Sequence, residues 1–261
     1  MTALYLRARE CIVTVMISAS YNLCAHRSRI ASLLRPHIVS TMHVLVLGGT
    51  GPSGLLLIQE ALDAGHTVVV YVRSPQKLPD SIKSNPSVTV AEGQLSDKAA
   101  LSKALDGVDA VLSALGPPVK QGITYPSNTP IAHGYAVLLE TMKERGVTRL
   151  IALGTPSMKD KLDKFSIKFA TLVAGVSLFA HNAYKDVVAI GETIRAEHGD
   201  LQWTIARVPI LTSAEERNTV AGYIGDGKVH TTLSRAGFAA FCVEQLTSDA
   251  WLNKAPLVSS P

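Results

Sequence analysis

From His43 onward, short apolar runs alternate with segments in which apolar residues recur every three or four positions. His43 to Leu47 and Thr67 to Val72 are rich in β-branched residues and leucine, which is typical of buried strands. Between them, Ser53 to Ala64 carries apolar residues at helical spacing and is followed by Gly65, a frequent residue at helix ends. This order of strand, helix and strand predicts a right-handed crossover between parallel strands.

The same alternation continues to residue 206. Further strands are predicted at Ser87 to Ala91, Asp109 to Leu115, Arg149 to Leu153 and Leu201 to Ala206. Further helices are predicted from Ser96, as the capping residue with Asp97 in the first turn, to Leu105, from about Ile131 to Arg145, and from about Asn182 to His198. We therefore predict an α/β protein with a Rossmann-type, doubly wound parallel sheet that carries helices on both faces.

After Pro209 the pattern becomes less regular. Tyr223, Ile224 and Val229 to Leu233 are typical of short strands, and Ser234 to Leu246 is typical of a helix. We expect this part, from about residue 209, to be a small C-terminal elaboration on the substrate side of one domain that covers residues 42 to 261. The chain contains no internal repeat and no low-complexity linker.

The first 41 residues differ from the rest in composition. They contain five arginines, one acidic residue and an apolar run from Cys11 to Ala19 that is too short to span a bilayer. We interpret residues 1 to 41 as an extension that is disordered or processed, with Met42 as the beginning of the folded unit. A mitochondrial presequence or a signal peptide is the alternative, because arginine-rich, acid-poor segments and short apolar cores are typical of them.

Composition narrows the classes of function. A net charge of +4 without a lysine- or arginine-rich run, and without paired zinc ligands, argues against nucleic acid as a partner and against a bound metal. The three cysteines are widely separated, which favours a reducing compartment, and we expect the protein in the cytoplasm. No membrane partner is expected from these features, and they leave the oligomeric state open.

A glycine-rich turn joins the first predicted strand to the first predicted helix. In such a turn glycines allow a sharp bend, close approach of a pyrophosphate and tight packing of helix on sheet, while free amides at the helix start face the anion. The residues predicted to contact the cofactor here are Gly48, Gly49, Thr50, Gly51, Pro52, Ser53 and Gly54. The alternative is a structural turn that binds no ligand.

The second predicted strand ends in arginine rather than in an acid. Sites for NAD usually place Asp or Glu about 20 residues after the glycines, where it binds the ribose hydroxyls. Here Arg73 lies 19 residues after Gly54, with Ser74 next to it, and no acid occurs from Thr67 to Gln76. A guanidinium at this place suits a 2′-phosphate, so we predict NADP(H) as the cofactor. A solvated arginine at a strand end is the alternative.

Five segments together resemble the atypical short-chain dehydrogenase/reductase family, nearest to its NmrA-like and biliverdin-IXβ/flavin-reductase-like branch: VLVLGGTGPSG, YVRSPQKL, AVLSALGPP, LQWTIARVP and TLSRAGFAAFCVEQL. The resemblance implies a Rossmann fold that binds NAD(P). It also implies a contact near the adenine after the third strand, where the family usually has Asp and this chain has Gln94 and Leu95. Gly116 matches the family's close backbone approach to the cofactor, and Thr155 and Ser157 supply hydroxyls where the family keeps a serine near the nicotinamide.

The sequence offers more than one candidate for the proton donor. Short-chain enzymes use a Tyr and a Lys four residues apart, in which the ammonium lowers the pKa of the phenol. Tyr184 matches the tyrosine, but Val188 stands where the lysine is expected, and the adjacent Lys185 points in another direction on a helix. Tyr184, Thr155 and Ser157 are therefore the candidate catalytic residues, with water as another proton source. A packed helix aromatic is the alternative for Tyr184.

Phe165 to Ala180 carries one charge in 16 residues. We predict either a buried helix or a lid beside the nicotinamide, with membrane contact as a third alternative, and an apolar lid would favour an aromatic small-molecule substrate. Because a conjugated acceptor spreads negative charge, it also needs a positioned acid less than a simple ketone does. The expected function is that of an NADP(H)-dependent oxidoreductase that acts on a flat, conjugated, hydrophobic small molecule. The alternatives are a non-catalytic NADP(H) sensor of NmrA type and an isomerase or epimerase.

Overall fold

A computed structural model describes residues 41–118, 124–197 and 199–261. The extension predicted at residues 1 to 41 lies outside these ranges except for Thr41. The described strands are β1 (His43–Leu47), β2 (Thr67–Val72), β3 (Val88–Glu92), β4 (Ala110–Ser113), β5 (Arg149–Gly154), β6 (Gln202–Arg207), β7 (Ile210–Thr212), β8 (Val220–Gly222), β9 (Thr232–Ser234) and β10 (Leu257–Ser259). The described helices are α1 (Pro52–Asp63), α2 (Asp80–Lys83), α3 (Lys98–Ala104), α4 (Pro130–Arg145), α5 (Ile167–Phe179), α6 (His181–Ala196) and α7 (Arg235–Glu244).

Within the described ranges, eight of these strands form one sheet in the order β3-β2-β1-β4-β5-β6-β10-β8. All neighbouring strands are parallel except the last pair, β10 and β8. The remaining two strands, β7 and β9, form a small parallel sheet that follows the carboxyl end of β6. This strand order is that of a Rossmann fold, and the predicted fold class is confirmed.

Side chains along the central strands alternate between two apolar cores, as the two-residue period of a strand requires. Val44 and Val46 of β1 belong to a core that also contains side chains of α1 and α7. Leu45 and Leu47 belong to a second core on the other face, which includes side chains of α3, α4 and α6. Burial on both faces explains why the strand sequences are continuously apolar.

Several predicted boundaries differ from the structure. Asp97, rather than Ser96, caps α3, because its carboxylate accepts the Ala100 N–H at 3.0 Å. The strand expected at Tyr223 and Ile224 lies at Val220–Gly222 instead, where it pairs with β10. Nothing in the local pattern predicted β10, a strand of three residues that exists through its pairing with β6 and β8.

The apolar segment after β5 does form a helix, α5, but the prediction that it is buried in the core is wrong. Phe169 is its one buried residue and packs with Ile224 and Leu257. The rest of the helix is half-buried or exposed, because the protein contacts it along one side. The apolar composition of the segment predicted a helix. It did not predict how many other elements of the fold would pack against that helix and bury it.

Candidate functional site

A groove of about 120 Å³ runs along the carboxyl ends of β1, β2 and β3. It lies where the strand order reverses between β1 and β4, which is the usual place for a ligand in an open α/β sheet. The residues that line it are Leu47, Gly48, Thr50, Tyr71, Val72, Arg73, Ser74, Lys77, Gly93, Leu95 and Leu115. The glycine turn and the arginine after β2, which are far apart in the sequence, therefore share one groove.

Gly48 brings the end of β1 against the end of β4. Its φ of +78° is a left-handed conformation that favours glycine. A Cβ at this position would lie 3.0 Å from the carbonyl carbon of Ala114, so the close approach of the two strand ends also excludes a side chain. Gly48 is therefore required by the fold itself.

Gly51 and Gly54 differ in what requires them. A Cβ on Gly54 would lie 2.1 Å from the carbonyl oxygen of Gly48, so α1 rests directly on the turn. A Cβ on Gly51 would meet only that oxygen, at an ordinary 3.5 Å, and the φ of Gly51 is −86°. Neither backbone conformation nor packing within the described chain demands glycine at residue 51, which leaves close approach of a ligand as the physical reason.

The N-terminus of α1 opens onto this turn without a cap. No side chain accepts a hydrogen bond from its first turn. Pro52 at the first helical position has no N–H, so the free donors there belong to Ser53 and Gly54. Free amides and the positive end of the helix dipole together favour an anion such as a pyrophosphate.

Two cations stand on the opposite wall of the groove. Arg73 follows β2, and the 3₁₀ turn Pro75–Lys77 brings Lys77 back beside it, with the Lys77 N–H donating to the Ser74 carbonyl at 3.1 Å. Neither cation forms an ion pair with a described residue, and no acid lines the groove. Sequence reasoning missed Lys77, although its place four residues after Arg73 was a usable signal.

The third strand provides the end wall through Gly93 and Leu95. A Cβ on Gly93 would lie 2.2 Å from the hydroxyl of Tyr71, which donates to the Gln94 carbonyl at 2.8 Å. Burial, with a smaller contribution from the charge of Asp97, raises the pKa of Tyr71 to about 12, so this hydroxyl keeps its proton. The side chain of Gln94 is exposed and does not line the groove, whereas Leu95 does.

The hydroxyls predicted after β5 lie in one tight turn. Thr155 is half-buried and Ser157 is buried; the Ser157 N–H donates to the Thr155 hydroxyl oxygen at 3.3 Å. Gly116, after β4, is half-buried, and a Cβ there would meet only Leu153, at 3.6 Å. None of these three residues lines the groove itself.

Tyr184 lies near the start of α6. Gly191 is seven residues later and so shares its helix face, and a Cβ on Gly191 would lie 3.0 Å from Met158 in the turn after β5. The face that carries Tyr184 therefore meets the turn that carries Thr155, two helical turns further along. The Tyr184 hydroxyl has no hydrogen-bond partner among residues 41–118, 124–197 and 199–261, and Tyr184 does not line the groove.

Sequence reasoning also missed a buried carboxylate two residues after Tyr184. Asp186 is fully buried and accepts hydrogen bonds from the backbone N–H groups of Ile131 and Ala132, at 3.1 and 2.8 Å, at the start of α4. It also accepts the Tyr125 hydroxyl at 2.5 Å. Burial, followed by the bond to Asp186, raises the pKa of Tyr125, and the charge of Arg73 opposes the rise. Asp186 thus joins α6 to the segment that enters α4.

A buried arginine forms an ion pair at the end of β6. Arg207 is 0% exposed and makes a bidentate ion pair with Asp163, at 2.6 and 2.8 Å. Its other hydrogen bonds reach the carbonyls of Met158 and Ala255. Burial raises the pKa of Asp163, but the hydrogen bond and charge of Arg207, with two backbone donors, outweigh it and hold that pKa below its usual value. The pair fixes the turn after β5 and the base of α5.

These features define a Rossmann-type dinucleotide-binding protein. They are the strand order, the glycine turn where that order reverses, the uncapped N-terminus of α1 and the two cations without an ion pair. The chain belongs to the NAD(P)H-binding family, whose model matches residues 48–249. The resemblance seen in the sequence is confirmed at this level.

Among curated proteins, the chain is 41% identical over 73 residues to the photosystem II assembly factor Ycf39 of Synechocystis, covering 28% of this chain and 22% of Ycf39. It therefore spans about a quarter of such relatives. Its fold is similar to a short-chain dehydrogenase/reductase of Veillonella parvula in complex with NADP (TM-score 0.68, 15% identity, 84% of this chain and 95% of that one). It is also similar to ChuY, an anaerobillin reductase of Escherichia coli O157:H7 (TM-score 0.64, 17% identity, 84% and 97%).

The described ranges contain neither a metal cluster nor a membrane-spanning helix. No group of three or more His, Cys, Asp or Glu residues there is placed to hold a metal ion. No helix there combines the length and the hydropathy needed to cross a membrane.

Proposed function

We propose that this protein is an NADP(H)-dependent oxidoreductase that acts on a flat, conjugated, hydrophobic small molecule of quinone, flavin or aromatic polyketide type. The observation that carries the cofactor choice is the pair of unpaired cations, Arg73 and Lys77, in a groove without an acid. A carboxylate at the end of β2 would bind the ribose hydroxyls of NAD and repel a 2′-phosphate. The two cations instead favour NADP(H) over NAD(H).

Different residues of the groove are proposed to bind different parts of the cofactor. We infer that the bare amides of Ser53 and Gly54 bind the pyrophosphate, next to the space left at Gly51. Thr50 and Gly49 complete this turn. Arg73, Ser74 and Lys77 bind the 2′-phosphate, and Gly93 and Leu95 border the adenine, with Gln94 reaching it from outside the groove. Gly116 after β4 leaves room on the side that leads toward the nicotinamide.

Calorimetric titration with NADPH and NADH tests the cofactor choice. The protein is expected to prefer NADPH, and Arg73→Gln with Lys77→Gln is expected to lower NADPH affinity about 100-fold, since each charged hydrogen bond contributes about 1.5–3 kcal/mol. NADH affinity should stay unchanged. Lys103→Gln with Lys143→Gln on α3 and α4, which removes the same two charges from exposed residues, is the control and should leave both affinities unchanged. Preference of the unaltered protein for NADH would contradict the proposal.

When bound, the cofactor supplies the hydride, and the chain binds and orients the substrate. Thr155, which is half-buried, carries the first hydroxyl after the carboxyl end of β5. Tyr184 has Val188, not lysine, four residues later, so no ammonium stands at the position from which short-chain enzymes assist the tyrosine. A conjugated acceptor spreads the new negative charge over several atoms and can take its proton from water. The site therefore suits such an acceptor better than an aliphatic ketone.

A regulatory protein that binds NADP(H) without reacting is the second candidate. The missing lysine and the unpartnered Tyr184 hydroxyl favour it, since neither is needed for binding alone. Single-turnover oxidation of bound NADPH by a panel of quinones and flavins separates the two. Oxidation by at least one acceptor supports the enzyme, whereas tight binding without oxidation by any acceptor supports the sensor. The buried free thiol of Cys242 is consistent with the proposed cytoplasmic location.

A further inference from the structure

Exposed apolar side chains of the described residues are concentrated on one part of the surface. Six of the eight large ones lie between residues 162 and 179: Leu162, Phe165, Ile167, Val176, Leu178 and Phe179. Phe165 is 86% exposed and Leu178 is 75% exposed. We call these six residues the α5 patch. Exposed apolar patches of this kind mark surfaces that contact another molecule.

The outward face of α5 carries one charged side chain, Lys168, and is otherwise mostly apolar. Phe169 and Leu172 turn the other face toward Ile224 and Leu257. On the outward face, the Thr171 hydroxyl donates to the Ile167 carbonyl at 2.8 Å, which leaves its methyl group to the surface. A partner for this face must therefore be apolar where it meets the helix.

The unpaired charges of residues 159–185, which carry the patch, have one sign. Lys159, Lys161, Lys164, Lys168 and Lys185 are all exposed, and none forms an ion pair within the described part of the chain. The three acids in and next to this stretch are used internally: Asp160 pairs with Arg195, Asp163 pairs with Arg207, and Asp186 is fully buried. The segment that carries the apolar patch thus also carries five exposed lysines without an ion pair.

We propose that α5 and the lysines around it form a docking surface for a membrane that contains anionic phospholipid. Such a membrane has an apolar interior, which can bury the apolar side chains, and negative charge at its boundary, which can pair with the lysines. A second copy of this chain is disfavoured as the partner. A two-fold pairing of the patch would bring the unpaired lysines of both copies together, without an unpaired carboxylate from residues 159–185 between them. At 13 residues α5 is too short to span a bilayer and lies in the interface.

This inference revises the expectation, drawn from composition, that the protein has no membrane partner. It goes beyond the proposed function and does not depend on it. The two are compatible, because a flat hydrophobic substrate dissolves in the same membrane.

Flotation of the full chain with lipid vesicles tests the inference. One set of vesicles is phosphatidylcholine with about 30% phosphatidylserine and the other is phosphatidylcholine alone. Two paired variants remove one feature each: Lys164→Gln with Lys168→Gln, and Phe165→Ser with Leu178→Ser. Lys103→Gln with Lys143→Gln is the matched control, since it removes the same charge from exposed residues on α3 and α4. All variants keep residues 1–40, whose own arginines contribute equally to each.

The full chain is expected to float with the phosphatidylserine vesicles and not with phosphatidylcholine alone. Lys164→Gln with Lys168→Gln should weaken the binding about 25-fold, at about fivefold for each lysine near an anionic surface. Phe165→Ser with Leu178→Ser should weaken it about 100-fold, at about tenfold for each apolar side chain. The control should change it less than about twofold, because charges beyond a Debye length of the membrane are screened.

Three results would overturn the inference: no flotation with either vesicle, equal binding to both vesicles, or equal effects of the α5 variants and the control. Sedimentation velocity adds a fourth. A dimer that Phe165→Ser with Leu178→Ser converts to monomer, in the absence of vesicle binding, would assign the patch to a second copy. NADPH titration of every variant keeps the two proposals apart, since unchanged NADPH affinity is expected whether or not the vesicles bind.

Discussion

The two halves of the sheet are held together by different means. Around β1, β2 and β4 the structure depends on small residues and backbone contacts: Gly54 rests on the carbonyl of Gly48, and Gly48 rests on the end of β4. Beyond β5 it depends on buried charge, with Arg207 paired to Asp163. The first half forms the proposed cofactor groove, and the second carries the turn and helices beside the proposed substrate.

The difference shows how much each half tolerates change. The packing of Gly54 on Gly48 joins residues six positions apart, so it forms as soon as strand and helix form. The ion pair of Arg207 joins residues 44 positions apart, and the hydrogen bond of Tyr125 to Asp186 joins residues 61 positions apart. A buried charge of this kind costs little while it is paired and much when one partner is removed.

The largest expected effect follows from Asp163→Asn. Removal of the carboxylate leaves the fully buried Arg207 without a counter-charge, so the free energy of unfolding should fall by about 3–5 kcal/mol in urea denaturation. Asp106→Asn is the control, because Asp106 pairs with Arg145 at 3.4 Å on the exposed surface and should contribute less than about 1 kcal/mol. Equal losses in the two variants would contradict the role assigned to buried charge.

The same carboxylate should give the protein an acid-sensitive stability. The folded pKa of Asp163 lies below its unfolded value, so the pair stabilises the protein at pH above that unfolded value and loses its contribution as the pH falls through the lowered folded pKa. Urea denaturation below about pH 4 should show the unaltered protein losing stability faster than Asp163→Asn. Parallel pH profiles would show that Asp163 keeps an ordinary pKa.

A smaller effect is expected in the groove, where two neighbouring glycines should respond differently. Gly54→Ala places a methyl group against the Gly48 carbonyl and should cost about 3 kcal/mol of stability, together with NADPH binding. Gly51→Ala should change stability by less than about 1 kcal/mol, yet lower NADPH affinity at least tenfold, since only the ligand needs that space. Urea denaturation and calorimetry measure the two quantities. Unchanged NADPH affinity in Gly51→Ala would place the pyrophosphate elsewhere.

The smallest effect is expected at Tyr184. With Val188 in place of the lysine, Tyr184→Phe should slow single-turnover oxidation of NADPH by a quinone less than about tenfold, whereas a positioned acid contributes about 10²–10⁴-fold. Unchanged NADPH affinity in the same variant is the control for folding. A loss of a hundredfold or more would identify Tyr184 as the proton donor.

Local patterns were enough to predict most of the fold. The bounds of β1 and β2 match the structure residue for residue, because glycine or polar residues at the ends of each apolar run limit where a strand can lie. Short elements such as β10 were missed, since three residues have no period of their own and exist through their neighbours. Gly51 and Arg73 could be singled out because the chemistry of a phosphate demands those residue types. Lys77 required the 3₁₀ turn that returns it to the groove.

The sequence by itself determined the order of strands and helices, the glycine turn and the arginine that follows β2, because each depends on residues that are near one another along the chain. Tertiary structure alone decided which charges are buried. Asp163 and Asp186 cannot be told from Asp106 by residue type, and only the folding of distant segments removes Asp186 from water and places Asp163 against the buried Arg207. It also decided that α5 is exposed, because burial of an apolar helix depends on how many neighbours the fold places around it.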